Sequence, residues 1–213
     1  MNTQDLIRAV VADNASVRPP IRRTMLWALA GGIAAGSLVY ALTLGVRSDF
    51  GWSIVNSHRF QFKFVYTLAI AIPALLLAWQ LLRPDGRARG VQALFVVPVV
   101  LLAVAAAIEL ASVPADHWAI YAVGQNAFWC VTMIPLIAAG PLAAFLYALR
   151  QGATSQPAMA GAAAGLLASG IAATLYASHC VDDSPLFIAL WYTPGIALVT
   201  AAGALLGKRL LRW

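Results

Sequence analysis

The stretch YASHCVDDSPLFIALWY (residues 176–192) concentrates side chains that can do chemistry in a chain that otherwise has few of them. His179, Cys180, Asp182 and Asp183 occur within five positions. Imidazole, thiolate and carboxylate groups are the usual protein ligands of metal ions, and a thiol can also exchange disulfides. The stretch therefore predicts either a metal or redox site, or a polar connection between two apolar helices.

The chain has only two cysteines, so it has neither a disulfide framework nor a zinc-finger spacing. Cys130 begins the fourth apolar segment and Cys180 follows the fifth, so we expect both at the same end of the helices. In an oxidising compartment such a pair can form a disulfide. It can also bind a soft metal, with His179, His117 or the two aspartates helping. The alternative is two unrelated cysteines, each packing as a small apolar residue.

The DDSP part of this stretch has a structural explanation of its own. Asp or Ser can cap a helix, proline is favoured in the first turn, and acidic groups suit the positive end of the helix dipole. For Asp182, Asp183 and Ser184 we therefore expect capping of the following helix rather than metal binding.

The elements that position these residues follow from composition. The chain is 62% hydrophobic and 10% charged, against roughly 25% charged in a soluble domain. A membrane-spanning helix needs about 20 apolar residues. Six stretches qualify: Met25–Val46, Phe62–Leu82, Val91–Ala111, Phe128–Leu149, Ala158–Ser178 and Leu186–Gly207. The sequence predicts an all-α polytopic membrane protein, with a six-helix transmembrane domain over residues 25–213 and a separate segment over residues 1–24.

The distribution of basic residues orients the helices. Eleven of the 14 Lys and Arg residues lie before the first segment, in the second and fourth connections, or at the C-terminus. Connections rich in Lys and Arg face the cytoplasm. We therefore expect both termini in the cytoplasm, an inner-membrane location in a bacterium, and both cysteines on the periplasmic side.

The N-terminal segment predicts one short amphipathic helix. Asn2 or Thr3 can cap it, and Asp5 lies in its first turn. Four residues form one apolar stripe at i, i+1, i+4 and i+5: Leu6, Ile7, Val10 and Val11. Such a helix can lie on the membrane surface, or it can dock its apolar stripe in the groove of a partner protein.

Ionisable residues inside the apolar segments are few. We expect Glu109 to reach the interface at the end of the third segment, and Lys63 to extend to the membrane surface from the start of the second. The lack of an acid at mid-membrane disfavours a proton-coupled transporter, and no protease, hydrolase or phosphate-binding motif occurs. A small transporter or channel remains one alternative. A membrane thiol oxidoreductase is less favoured, because a second dithiol is missing.

Three pairs of glycines have the small-xxx-small spacing that lets helices approach closely. They are Gly32 with Gly36, Gly161 with Gly165, and Gly203 with Gly207. We expect packing within one chain, and a homodimer face is the alternative.

With its segments in this order, the chain resembles the NrsF-type membrane anti-sigma factors of proteobacteria. The matching parts are the opening DLIRAVVADNASVRPP, the six-span arrangement, WC before the fourth segment, HCVDDSPLFIALWY, and the closing GKRLLRW. The resemblance covers essentially the whole chain. Its most specific element is the stretch around Cys180.

The resemblance implies a regulator and not an enzyme. Proteins of this kind hold an extracytoplasmic-function sigma factor at the cytoplasmic face, and a signal on the outer side releases it. The family's two cysteines correspond to Cys130 and Cys180, which would sense heavy metals or oxidants without a resident cofactor and without direct contact with nucleic acid. For the sigma factor we predict contacts along the N-terminal helix, from Asp5, Leu6, Ile7, Arg8, Val10 and Val11.

Overall fold

A computed structural model describes residues 2–14, 21–83 and 89–212, and this part of the chain is helical without a strand. We number its helices in chain order. They are α1 (Thr3–Asn14), α2 (Ile21–Thr43), α3 (Phe50–Asn56), α4 (His58–Leu81), α5 (Gly90–Ser112), α6 (Trp118–Val123), α7 (Ala127–Arg150), α8 (Pro157–Ala177) and α9 (Pro185–Leu210).

Six of these helices are long and apolar enough to cross a membrane, which confirms the predicted all-α fold with six spans. Hydropathy placed most ends within a few residues. The first span begins at Ile21 rather than Met25, and the second at His58 rather than Phe62. In both, helical hydrogen bonding already includes the polar residues that precede the apolar segment. The fourth is preceded by the short helix α6, which ends at Gly124 with φ 59°.

Helix α8 lies at the centre of the bundle and packs against α9, α4 and α7. Its contact with α9 is the closest, because glycines of both helices face each other's backbone. A methyl group added at Gly161 would overlap Gly203, and one added at Gly207 would overlap Pro157 and Gly161. Small residues thus bring these two helices together, as the spacing predicted.

The glycine pair on α2 also packs against another helix of the same chain. Gly32 and Gly36 on α2 face Pro141 on α7, where an added methyl group would lie 3.2 to 3.3 Å from proline carbon atoms. All three small-residue pairs therefore serve helix packing inside one chain, in agreement with our expectation.

The helices alternate in direction, so the connections lie at two ends of the bundle. One end, which we call the cysteine end, contains residues 44–57, 113–126 and 178–184. There the backbone N–H of Arg47 donates to the carbonyl of Ser178 at 3.1 Å. At the opposite end, Gly152 packs closely against Leu82 and Ile21.

Candidate functional site

Cys130 lies in the first turn of α7, at the cysteine end. Asn126 precedes this helix, and its carbonyl accepts the backbone N–H of Cys130 at 2.9 Å. The side chain points into the bundle and is fully buried. A small, weakly polar thiol fits this apolar position.

Cys180 follows the end of α8 and is also buried. Its backbone N–H donates to the carbonyl of Tyr176 at 3.0 Å, which continues the last turn of that helix. Both cysteines carry free thiols and belong to one apolar cluster. Both lie at the cysteine end, where the backbone N–H of Asn126, four residues before Cys130, donates to Asp182, two residues after Cys180.

Two buried tyrosines accompany the thiols. The rings of Tyr176 and Tyr192 are 5.7 Å apart, and both hydroxyls lie near Cys180. Neither hydroxyl has a regular hydrogen bond within the described residues. The two thiols and two phenols thus form a compact group of weakly polar side chains.

Burial determines the state of the thiol at Cys180. Removal from water raises its pKa above the ordinary thiol value, because the charged thiolate loses hydration. A thiol becomes a nucleophile or metal ligand as the thiolate. In this structure Cys180 is therefore a protonated, protected thiol, and a reagent needs access before it can react.

Lys63 holds the Cys180 segment from the side of α4. Its ammonium is fully buried, donates to the carbonyl of Cys180 at 2.7 Å, and pairs with Asp183 at 2.5 Å. Arg47 adds a second cation, with Nη1 at 3.2 Å from Asp183 and 3.3 Å from the Cys180 carbonyl. The expectation that Lys63 would extend to the membrane surface was wrong, since the partly buried Asp183 carboxylate and the Cys180 carbonyl satisfy its ammonium inside the bundle.

Arg47 also pairs with Asp49, at 2.6 Å. The guanidinium beside it lowers the pKa of the Asp49 carboxyl to about 2, and the two carboxylates raise the pKa of Arg47. The first connection is thereby tied to the fifth, which carries Cys180. The three Lys and Arg residues that the sequence leaves at this end all form ion pairs: Arg47, Lys63 and Arg59.

Asp182 connects the segments of the two cysteines. Its carboxylate accepts the backbone N–H groups of Gln125 and Asn126 at 3.1 and 2.8 Å, and the Asn126 side-chain amide at 2.9 Å. These groups precede α7, where a negative charge is stabilised by the helix dipole. Asp182 therefore supports the helix that carries Cys130, although it stands two residues after Cys180.

The capping prediction was right for Ser184 and wrong for the two aspartates. Ser184 caps α9 by accepting the backbone N–H groups of Leu186 and Phe187. Asp182 and Asp183 face other helices, because Lys63, Arg47 and the N-terminus of α7 offer them stronger partners than their own helix does.

Glu109 joins α5 to the same capping site. It is buried, and its Oε2 accepts from Ser184 Oγ at 2.6 Å and from the Leu186 backbone at 3.2 Å. The guanidinium of Arg59 lies 3.1 Å from Oε1 and stacks over Tyr121. The expectation that Glu109 reaches the interface was wrong, since a cap and a cation hold it inside. The sequence signal for such contacts was a single acidic residue within an apolar segment, since a carboxylate there needs a polar or cationic partner.

The predicted histidine helpers have other partners. His179 Nδ1 donates to the carbonyl of Gly45 at 2.9 Å, and His117 is exposed beside Asp116. Within the part of the chain that the structure describes, no three residues of the types His, Cys, Asp and Glu are grouped to hold a metal ion. The thiol pair itself remains the predicted site for a soft metal.

A polar cavity of about 570 Å³ opens beside the Cys180 segment. Its walls include Arg59, Tyr121, Gln125, Asp182 and the half-exposed Val181. It borders Val181 and Asp182, the two residues that follow Cys180.

Helix α1 agrees with the predicted N-terminal helix, with Asp5 in its first turn. Leu6 and Ile7 are about half exposed, and Arg8 is exposed. The helix continues through Val10 and Val11, whose side chains lie outside the described residues. The side chains of Leu6 and Ile7 are thus accessible to a partner.

The comparisons with known proteins agree on one family. Residues 10–213 match the family model described as NrsF, negative regulator of sigma F. The chain is 35% identical to the anti-sigma-F factor NrsF of Caulobacter vibrioides and 31% identical to the probable anti-sigma-F factor NrsF of Azospira oryzae. Both alignments cover the whole length of both proteins. No solved structure is significantly similar.

Proposed function

The chain belongs to the NrsF family of anti-sigma factors, and from this we propose that it holds an extracytoplasmic-function sigma factor at the cytoplasmic face of the inner membrane. The family makes it a negative regulator of a sigma factor. The six long apolar helices are the basis for the membrane location. The excess of basic residues at the opposite end is the basis for placing that end in the cytoplasm.

The sigma factor binds helix α1 in this proposal. Leu6 and Ile7 are apolar yet open, and a helix of this kind can dock one face in a groove of a partner. Asp5 and Arg8 would set the register of the bound helix, and Val10 would continue the apolar stripe. The adjoining transmembrane domain, residues 25–213, would then serve as anchor and sensor.

The signal enters at Cys130 and Cys180, on the periplasmic side. A soft metal ion would replace the two thiol protons. Alternatively, hydrogen peroxide would take two electrons and two protons, becoming two waters and leaving a disulfide. Both events need the buried thiols to become accessible, so they favour a rearranged cysteine end over the resting one.

The hydrogen bonds around Cys180 are what a rearrangement would change. Lys63 and Arg47 bind the Cys180 carbonyl, and Asp182 binds the start of α7, which carries Cys130. A change at the thiols would therefore move α7 and α8 relative to α4. Release of the sigma factor requires that this motion bias α1 between a binding and a non-binding state.

The observation that carries the proposal is the full-length similarity to anti-sigma-F factors. Its test uses the intact protein with a promoter that depends on the sigma factor encoded nearest to it. We expect repression with wild type and with Cys130→Ser/Cys180→Ser, and induction by Cd²⁺ or peroxide with wild type alone. Induction that survives in the double variant would overturn the sensor role. Failure to bind any sigma factor of the source genome would overturn the regulator role.

A further inference from the structure

Tyr176 and Tyr192 place two buried hydroxyl groups beside the thiols. Both side chains are fully buried, and their rings lie 5.7 Å apart. Both hydroxyls lie near the thiol of Cys180 and are within electrostatic range of the thiol of Cys130. Neither forms a regular hydrogen bond with any residue that the structure describes. Two hydrogen-bond donors thus converge on one sulfur atom and are unused while the thiol is neutral.

The missing partners make these hydroxyls unfavourable for the resting fold. A buried hydroxyl group that has lost its water and gained no hydrogen bond is destabilising, and phenylalanine would fill the same space without this penalty. The neutral thiol of Cys180 compensates little, because a thiol sulfur is a weak acceptor. The two hydroxyls therefore favour a state in which the sulfur accepts hydrogen bonds strongly.

The helical turn that holds Tyr192 is unusual. Residues Ile188–Tyr192 form a π-helical turn within α9, where the backbone N–H of Thr193 donates to the carbonyl five residues earlier. Pro194 follows and has no N–H for the carbonyl four residues before it. A π-turn holds one residue more than an α-turn, so it rotates Tyr192 relative to the capped start of α9 by roughly 100°. Single π-turns within α-helices occur frequently at functional sites.

The rings that carry the two hydroxyls are held in place by aromatic neighbours. Phe187 packs edge-on against Tyr192, with 6.3 Å between the ring centroids, and the ring of His179 lies 6.1 Å from that of Tyr176. Both tyrosines belong to the same buried cluster as the two thiols. The hydroxyls are therefore fixed near the thiols in advance, and a ligand would gain their hydrogen bonds without having to order these side chains.

A soft divalent metal ion at the thiols would supply the acceptor that the hydroxyls lack. Two thiols and one such ion give two metal-bound thiolates and two protons, which pass to water. The buried charge stays the same, and Lys63 keeps Asp183 as its counter-ion. A metal-bound thiolate carries negative charge and accepts a charge-assisted hydrogen bond from a phenol. A monovalent ion would leave one negative charge uncompensated in apolar surroundings, which is costly.

We propose that Tyr176 and Tyr192 are positioning residues for a soft divalent metal ion, and that their hydroxyls donate hydrogen bonds to the sulfur of Cys180 when it binds the ion. The inference rests on the proposed role of the two cysteines as the sensor, and on no feature of sigma-factor binding. Outer hydrogen bonds of this kind orient a metal ligand and strengthen metal binding. Because one hydroxyl comes from α8 and the other from α9, the bound ion would act on both helices.

The test equilibrates the full-length protein in detergent micelles with Cd²⁺ against a competing chelator and follows the sulfur-to-metal charge-transfer absorption. In Tyr176→Phe/Tyr192→Phe we expect the Cd²⁺ affinity to fall by at least tenfold, as for other outer partners of metal ligands. The absorption band should also move to longer wavelength, because a sulfur that loses hydrogen bonds gives up its electrons more easily. Tyr147→Phe is the control, since Tyr147 is exposed, and it should change the affinity by less than twofold.

Thermal unfolding without metal separates this role from a structural one. The double variant should unfold at the wild-type Tm or above it, because it loses two hydroxyls that have no regular hydrogen bond. A lower Tm, or an affinity and a band equal to those of wild type, would overturn the role of the tyrosines and leave the cysteine sensor intact. If wild type shows no band, or if the band survives in Cys130→Ser/Cys180→Ser, the thiols do not bind Cd²⁺. The metal-sensing part of the proposed function would then fail together with this inference.

Discussion

Lys63 donates a hydrogen bond of 2.7 Å from its fully buried ammonium to the backbone carbonyl of Cys180, 117 residues later in the chain. The same ammonium pairs with Asp183. A single side chain on α4 thus fixes both the backbone of the Cys180 segment and a carboxylate beside it. The conformation at Cys180 is therefore coupled to a helix that contains no cysteine.

Replacing Lys63 with methionine should destabilise the protein by about 3 kcal/mol, because it removes the buried cation and leaves the Cys180 carbonyl and the Asp183 carboxylate with Arg47 as their remaining cation. For a chain of this size, we expect Tm to fall by on the order of 5–10 °C. Thermal unfolding in detergent micelles measures it, with Lys208→Met at the opposite end as the control. The pair Lys63→Met/Asp183→Asn should recover part of the loss. Equal Tm values for Lys63→Met and the control would refute the role of Lys63.

The thiols should react slowly in the folded protein. Both are buried, and the raised pKa of Cys180 leaves less thiolate at pH 7 than a free cysteine has. Maleimide labelling should modify two thiols only after denaturation, and the Cys180 rate in Cys130→Ser should keep rising above pH 9. Val181→Cys in a background with both cysteines changed to Ser is the matched control, because Val181 is half exposed. Equally fast labelling of Cys180 and of this control would contradict the buried state.

Sigma-factor binding should depend on the apolar stripe of α1. Leu6→Asp places a charge where an apolar contact is expected, and we expect Kd to rise by well over tenfold, or about 1.4 kcal/mol for each factor of ten. Binding of the purified sigma factor to the full-length protein measures this. Gln4→Asp makes the same charge change on the opposite face and should alter Kd by less than threefold. If both variants bind like wild type, α1 does not form the contact.

The ion pair of Arg47 and Asp49 should resist acid. Folding lowers the pKa of Asp49 from an ordinary value near 3.8 to about 2. A lowered pKa contributes stability that is fully present above the unfolded value and is lost as pH falls through the folded value. The Tm difference between wild type and Asp49→Asn should therefore be constant from pH 5 to 8 and decline between about pH 4 and 2. A difference that already declines near pH 6 would show that another group is responsible.

Hydropathy predicted the six helices because crossing a membrane demands long apolar runs, and each run is local in the sequence. The location of Cys130 and Cys180 at the same end of the bundle was predictable for a related reason, since helices of membrane length alternate in direction. Glycine spacing predicted the close contact of α8 with α9, because glycines four residues apart lie on one face of a helix and let another helix approach it.

The partners of the charged residues were not predictable in this way. Asp183 meets Lys63 from 120 positions away, and Asp182 meets the N-terminus of α7, so both contacts depend on how three connections pack. Local capping rules gave Ser184 its partners correctly because those partners are two and three residues away. The same rules misplaced the aspartates, for which distant cations and helix ends compete more strongly.

The close contact of α8 and α9 gives the last prediction. A methyl group at Gly203 would overlap the backbone of Gly161 and Gly165, and helix backbones cannot move aside as a flexible side chain does. Gly203→Ala should therefore cost about 1–3 kcal/mol, the usual range for overpacking. Gly31 on α2 has nothing within 4 Å of an added methyl group, so Gly31→Ala should be neutral or stabilise the helix by about 0.5–1 kcal/mol. Thermal unfolding of both variants compares them directly, and equal Tm values would mean that α8 and α9 do not approach each other as closely as the structure describes.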